Sequence, residues 1–210
     1  MAERGYPSKR ERTRAALVRA GMVVLGSRGI NAGTVGDIAA EAGVVPGTFY
    51  TYFPSRPDLV AAVVDELASS LHLGAERVRA MEGDPAGRVA LAALSLVGQA
   101  HEDLVFGSAF SRLARRAPEL TERLRTMIGD AVADGVALGR FEVPGEADAT
   151  EALFSVAIGA VLAATERRAD PDSGPRVAQL MLTMLGLDRG EAQRVIEVAA
   201  DAAKSTPGQA

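Results

Sequence analysis

The chain has 210 residues, 48% hydrophobic and 24% charged, which is long enough to bury a core and unlike the composition of a disordered segment. It has no cysteine, no tryptophan and two histidines, which excludes a disulfide framework, a thiolate metal site and a cysteine nucleophile, and leaves little for metal binding. The net charge of -4 hides an asymmetry: residues 1–58 carry eight Lys or Arg against five Asp or Glu, and the remainder carries 15 against 22. With 39 alanines and only 4% aromatics, the composition predicts an all-α protein, because Ala favours helix while β-branched and aromatic residues favour strand. No apolar run reaches the roughly 18 residues of a membrane span, and Met1 to Lys9 lacks the hydrophobic region of a signal peptide. The expected location is the cytoplasm, with no membrane partner.

The predicted elements begin with a basic arm in which Arg4, Lys9, Arg10, Arg12, Arg14 and Arg19 face only Glu3 and Glu11. Such an arm is either drawn to a polyanion or is a solvated chain end. Leu17, Gly21, Val24 and Leu25 recur at helical spacing, predicting a first helix over about 10–27 that Gly29 stops. Thr34 with Asp37 three residues on is a capping signal for a short second helix. Gly43 permits a left-handed exit from it, and Pro46 suits the first turn of a third helix reaching Tyr52. Two short helices joined at Gly43 make a helix-turn-helix over about 33–52. Ser55-Arg-Pro57-Asp58 opens a long fourth helix to about Met81, Gly83 precedes the next start, and Asp84-Pro85 opens a fifth to about His101. Helices six to ten are predicted over about 103–116, 119–138, 147–167, 176–187 and 191–204. This gives a helix-turn-helix head over about 10–70, a helical body over 71–204 and a polar tail over 205–210.

The stretch Thr13-Arg14-x-x-Leu17-Val18-x-Ala20, then Gly29, then Thr34-Val35-x-Asp37-Ile38-Ala39-x-x-Ala42-Gly43-Val44, then Gly47-Thr48-Phe49-Tyr50-x-Tyr52-Phe53-x-Ser55 resembles the tetracycline-repressor (TetR) family of transcriptional regulators. The resemblance is strong over the first quarter of the chain and rests beyond it on helix number and order. It implies that the third helix enters the major groove with its first residues at base edges. Gly47 lets the backbone approach, and Thr48 can donate to a base or a phosphate. Phe49 and Phe53, spaced i and i+4, read as core. Tyr50 and Tyr52 are either core aromatics or phosphate partners through their hydroxyls. By similarity, Thr34 contacts phosphate, Tyr50 and Tyr52 clamp the backbone, and Arg56 replaces a usual Lys in doing so. Lys9 and Arg10 are placed to reach the minor groove or nearby phosphates. One departure stands out: where the family commonly has a Ser that caps the recognition helix, this chain has Val45, and Pro46 compensates in part by preorganising the first turn.

A head of about fifty residues reads few base pairs, so a homodimer on a double-stranded operator is expected. Ala152, Ser155, Gly159 and Ala163 form a strip of small side chains on helix eight, and helix nine offers Val177, Leu180, Met181, Met184 and Leu185. Both sets read equally as intrachain core, and the resemblance favours an intermolecular four-helix bundle. The resemblance also implies a small-molecule effector among helices four to seven, lined by Leu94, Val97, His101, Leu104, Phe106, Phe110 and Met127, with Arg112 or Glu102 as polar anchor. His101 reads more simply as a satisfied core residue, and His72 as an exposed one. Helix four joins head to body and is the expected lever of a ligand-relieved repressor. No hydrolase, metalloprotease or phosphate-loop motif is present, so no catalytic residue, cofactor or metal is expected. The competing reading is an all-α ligand-binding or protein-interaction module whose helix-turn-helix is only structural.

Overall fold

The computed structural model describes the backbone of residues 8–79 and 84–204 and the side chains of residues 8–70 and 84–203. Arg4, the His72 side chain, the end of helix four at Met81, Gly83 and the tail 205–210 lie outside the described residues. Among those described there are ten α-helices and no strand: α1 (Lys9–Arg28), α2 (Val35–Glu41), α3 (Pro46–Tyr52), α4 (Arg56–Arg79), α5 (Pro85–Glu102), α6 (Leu104–Leu113), α7 (Pro118–Ala137), α8 (Glu146–Thr165), α9 (Gly174–Met184) and α10 (Arg189–Lys204). Where the sequence predicts a plain loop before α9, a 3-10 turn over Pro171–Ser173 runs into the helix, which starts at Gly174.

Short-range chemistry fixes the ends. At α1, Ser8 and Glu11 form a reciprocal capping box, with the Ser8 hydroxyl accepting from the Glu11 amide at 3.2 Å and the Ser8 amide donating to the Glu11 carboxylate at 2.6 Å. Thr34 and Asp37 do the same for α2. Gly43, between α2 and α3, has φ +69°, a conformation that costs a side-chain-bearing residue and leaves glycine unpenalised. Asp84 caps α5 through the Ala86 amide at 3.0 Å, with Pro85 in the first turn.

The core crosses the boundary between head and body. Leu17, Leu25, Ile38, Phe49 and Leu59 belong to one apolar cluster with Phe106, Phe110, Leu113 and Val161. Each such fully buried side chain contributes about 1.5–3 kcal/mol. A second cluster joins α5, α7, α8, α9 and α10 through Leu91, Val132, Leu153, Leu182 and Ile196, with Phe141 and Leu185 beside them. Glycines allow the tightest approaches between helices: a Cβ at Gly26 of α1 would lie 2.9 Å from the Ala109 amide nitrogen of α6, and one at Gly107 of α6 would overlap the Thr165 hydroxyl of α8. Helix α6 is thus held between α1 of the head and α8 of the body.

The reading of apolar runs needs one correction. By length and composition α8 is long and apolar enough to cross a membrane, because from Ala152 to Thr165 its polar positions are only Ser, Gly and Thr. It is instead packed in the bundle through Leu153, Phe154, Ile158, Val161 and Ala164, while much of its remaining surface stays uncovered within one chain.

Candidate nucleic-acid interface and body cavity

Helix α3 is anchored by its two phenylalanines. Phe49 and Phe53 are buried with ring centroids 5.8 Å apart, which turns the other side of the helix outward. That outer side presents Pro46, Gly47 and the exposed side chains of Val45 (68%) and Tyr50 (57%), with Thr48 and Tyr52 half-buried. Val45 is the N-cap in extended conformation and makes no side-chain cap, as its chemistry requires. The Arg10 guanidinium stands 5.9 Å from the Tyr52 ring centre and that of Arg14 stands 5.2 Å from the Phe53 ring, a cation–π geometry that brings the basic start of α1 beside α3. Lys9 and Arg10 are both exposed. Val45, Pro46, Gly47 and Tyr50 are thus exposed on α3, with Thr48 and Tyr52 half-buried, and the exposed Lys9 and Arg10 open α1, Arg10 standing over Tyr52.

Two predicted phosphate contacts are occupied differently. The Thr34 hydroxyl donates to the Asp37 carboxylate at 2.6 Å and accepts from the Asp37 amide, and this capping, with Arg28 at 2.7 Å, holds the Asp37 carboxyl below the usual carboxylate range. Arg56 is turned to the loop behind α2. Its Nε donates to the Gly33 carbonyl at 2.6 Å and its Nη2 to the Ile30 carbonyl, so the guanidinium ties the start of α4 to the α1–α2 loop. The loop's two free carbonyls draw it inward.

A cavity of about 310 Å³ lies in the body, at the small end of the range of small-molecule sites. From the predicted lining it contains Phe110 and Met127, and it adds Leu124, Ile128, Phe154 and Ile158, with Ser95 and Gln99 from α5. Leu94, Val97, His101, Leu104, Phe106 and Arg112 are not in its wall, nor is Glu102. Leu94 packs on Gly174 at the start of α9. Val97 is buried in the core, Phe106 stacks on Phe110 at 5.5 Å, and His101 Nε2 lies 3.2 Å from the Ser173 hydroxyl on the α9 side. Leu104 is half-buried, and Glu102 and Arg112 are exposed. Met181, predicted at a dimer interface, is buried and lines the cavity instead.

Asp103, where the sequence predicts the start of helix six, also connects cavity and head. Its amide donates to the carbonyl of Gln99, a cavity residue, at 2.8 Å, which closes α5. Its carboxylate accepts from the Val105 and Phe106 amides at 2.9 and 3.0 Å, which opens α6. The same carboxylate takes a bidentate pair from Arg19 of α1, at 2.5 and 2.8 Å. The Arg19 hydrogen bonds hold the Asp103 carboxyl below its ordinary range and raise the guanidinium.

On the outer surface of α8, Ser155 and Gly159 are exposed and Ala152 and Ala163 half-buried, and a Cβ at Gly159 would meet nothing within 4 Å. Leu180 (51%) and Met184 (36%) of α9 are exposed too, with Val177 half-buried. Among the described residues no group of three or more His, Cys, Asp and Glu is placed to hold a metal ion.

Comparison with known proteins bears on both halves. Residues 17–63 match the family described as bacterial regulatory proteins, tetR family, and residues 84–198, more than half of the chain, match the tetracyclin repressor-like C-terminal domain. The chain belongs to the TetR family. Its family is one of transcriptional regulators and not of enzymes. The HTH-type transcriptional repressor LfrR of Mycolicibacterium smegmatis is 38% identical over 95 residues, 45% of this chain and 47% of that protein. An HTH-type transcriptional repressor of Mycobacterium tuberculosis is 30% identical over 122 residues, 58% of this chain and 62% of that protein. The matches thus span about half to three fifths of these relatives' own length. Among solved structures, RolR in complex with resorcinol shares 28% identity at a TM-score of 0.64, covering 96% of this chain and 98% of that one. The TetR family protein CprB from S. coelicolor A3(2) shares the fold, with a TM-score of 0.72 at 19% identity over 95% of this chain and 100% of that one.

Proposed function

We propose that this TetR-family chain is a sequence-specific, operator-binding repressor, cytoplasmic and homodimeric, that a small and largely apolar effector releases from double-stranded DNA. The observation that carries the reading is the outer side of α3, where Val45, Gly47 and Tyr50 are exposed, with Arg10 of α1 over the neighbouring Tyr52 ring. In this reading α3 enters the major groove, Tyr50 and Tyr52 donate to phosphates, and Lys9 and Arg10 follow the backbone. Thr34 takes part through the helix start it caps, and Arg56 holds the loop in place behind it. The head over 10–70 and the body over 71–204 act as two functional units that share one core. The strip Ala152, Ser155, Gly159 and Ala163, with Val177, Leu180 and Met184, is the proposed face between protomers. RolR, solved with resorcinol, is a relative whose bound molecule is of the small size that the cavity here admits.

For the effector to act, it must bind the DNA-incompetent arrangement better than the competent one. The path from the cavity to the head runs through α4 and also through Asp103, which grips Arg19 of α1. The test is fluorescence anisotropy on the duplex immediately upstream of the chain's own gene, with random duplex as competitor. Saturable binding that resists the competitor and weakens about tenfold in Tyr50→Phe and Thr48→Ala supports the reading. Binding with no dependence on salt concentration favours the module whose helix-turn-helix is only structural, since phosphate contacts release counterions.

A further inference from the structure

We propose that the cavity selects an uncharged ligand with an apolar body and one hydroxyl- or carbonyl-bearing edge, and that Ser95 and Gln99 recognise that edge. This rests on the effector reading above and narrows it to a chemical class. Among the described residues five polar side chains reach the cavity wall: Ser70, Arg88, Ser95, Gln99 and Asp130. Two are already satisfied within the protein. The Ser70 hydroxyl donates to the Glu66 carbonyl at 3.0 Å, and the Arg88 guanidinium donates to Asp134 at 2.7 Å. Among the described residues the side chains of Ser95 and Gln99 have no partner, although both are half-buried.

Ser95, like Thr48 and Ser108, makes no side-chain hydrogen bond among the described residues. Thr121 and Thr165, on helices and half-buried like it, each donate to a carbonyl four residues back, at 3.0 and 2.7 Å. Ser95 leaves that option unused. Four residues separate it from Gln99, so the two stand on one face of α5, about 6 Å apart along the axis at the helical rise. Around them the wall is Leu96, Phe110, Leu124, Met127, Phe154 and Ile158. A hydrocarbon seated there would strip water from an amide and a hydroxyl and return no hydrogen bond, a loss that outweighs its apolar contacts. A ligand with a hydroxyl or carbonyl at that edge replaces the water bond for bond.

Charge excludes anions. The only cation in the described wall is Arg88, which Asp134 neutralises, whereas Asp130 is exposed and has no partner. A carboxylate would lose its hydration against a wall whose described residues offer no free cation and carry one uncompensated negative charge. Because Asp130 faces solvent, it sets the sign of the rim and not the chemistry of the interior.

The test uses four one-ring probes of similar size, 4-propylphenol, propylbenzene, 4-propylbenzoate and 4-propylbenzylamine, titrated calorimetrically into the full chain at neutral pH. The phenol is expected to bind at least tenfold more tightly than the other three. Gln99→Leu should bring the phenol down to the hydrocarbon's affinity and leave the hydrocarbon unchanged or tighter, and Ser95→Ala should do so in part. Gln99→Met, close to glutamine in volume, carries the same expectation if leucine disturbs the packing. A benzoate or benzylamine that matches the phenol overturns the proposal, as does a phenol preference that survives in both Gln99 variants. If no probe binds, the effector reading itself falls and this inference falls with it.

Discussion

Arg56 and Arg10 show how one side-chain chemistry divides into two roles. Arg56 satisfies the Ile30 and Gly33 carbonyls, whereas Arg10 lies exposed over the Tyr52 ring. Arg10→Ala is therefore expected to weaken operator binding and lower the slope of log affinity against log salt by about one, as loss of a phosphate contact does. Arg56→Ala should leave that slope unchanged while costing about 1–3 kcal/mol of folding stability through orphaned carbonyls, read as a fall in the denaturant midpoint. Equal changes in slope would return Arg56 to the phosphate backbone. The motif at Thr34, Gly43 and Pro46 was legible from the sequence because caps and left-handed turns are local. The role of Arg56 was not, since the carbonyls it meets lie more than twenty residues earlier and converge on it only when the loop is folded.

At the scale of elements, α6 carries more of the architecture than its ten residues suggest. It is closed onto α1 at Gly26, onto α8 at Gly107, and tied to α1 by the Arg19–Asp103 pair. This adds a second connection to the single lever, α4, expected from the sequence. Asp103→Asn keeps an oxygen to cap α6 but loses the charge, and because both partners are partly exposed the cost should be about 1 kcal/mol. The sign with pH follows from the lowered carboxyl of Asp103. Its contribution is fully present above the unfolded-state value near pH 4 and is lost as pH falls through the lower folded-state value. Wild type and variant should differ by a constant amount from pH 6 to 8, and the gap should close under acid. A gap that instead closes between pH 6 and 8 would assign the effect to another group. The faces of α5 explain why the cavity was hard to read. Val89, Ala90, Ala93, Val97 and Ala100 fall within an arc of about 100°, so apolar periodicity marks the packed side, whereas Ser95 and Gln99 stand outside that arc. Leu94 and His101 turn to the α9 side, and the cavity falls to Ser95 and Gln99.

At the scale of the whole molecule, α8 and α9 carry apolar surface that one chain leaves uncovered. Gly159→Arg is a clean probe of it, because the added side chain meets open space within one chain. The variant should keep the wild-type circular dichroism, sediment as a monomer and lose operator affinity by at least a hundredfold. A Gly159→Arg dimer of wild-type affinity would place the interface elsewhere. The order of the helices was legible because proline, glycine and capping residues punctuate the chain at nearly every junction, as at Asp84-Pro85 and Gly43. The pairing of protomers was not, since small side chains at helical spacing suit an intrachain contact equally well. One last consequence is optical. The chain has no tryptophan and three tyrosines, and two of these, Tyr50 and Tyr52, stand on α3. Ultraviolet emission of the unlabelled protein therefore originates largely at the surface proposed to meet DNA, so that stacking or hydrogen bonding of a phenol against the duplex would be reported by the protein's own light.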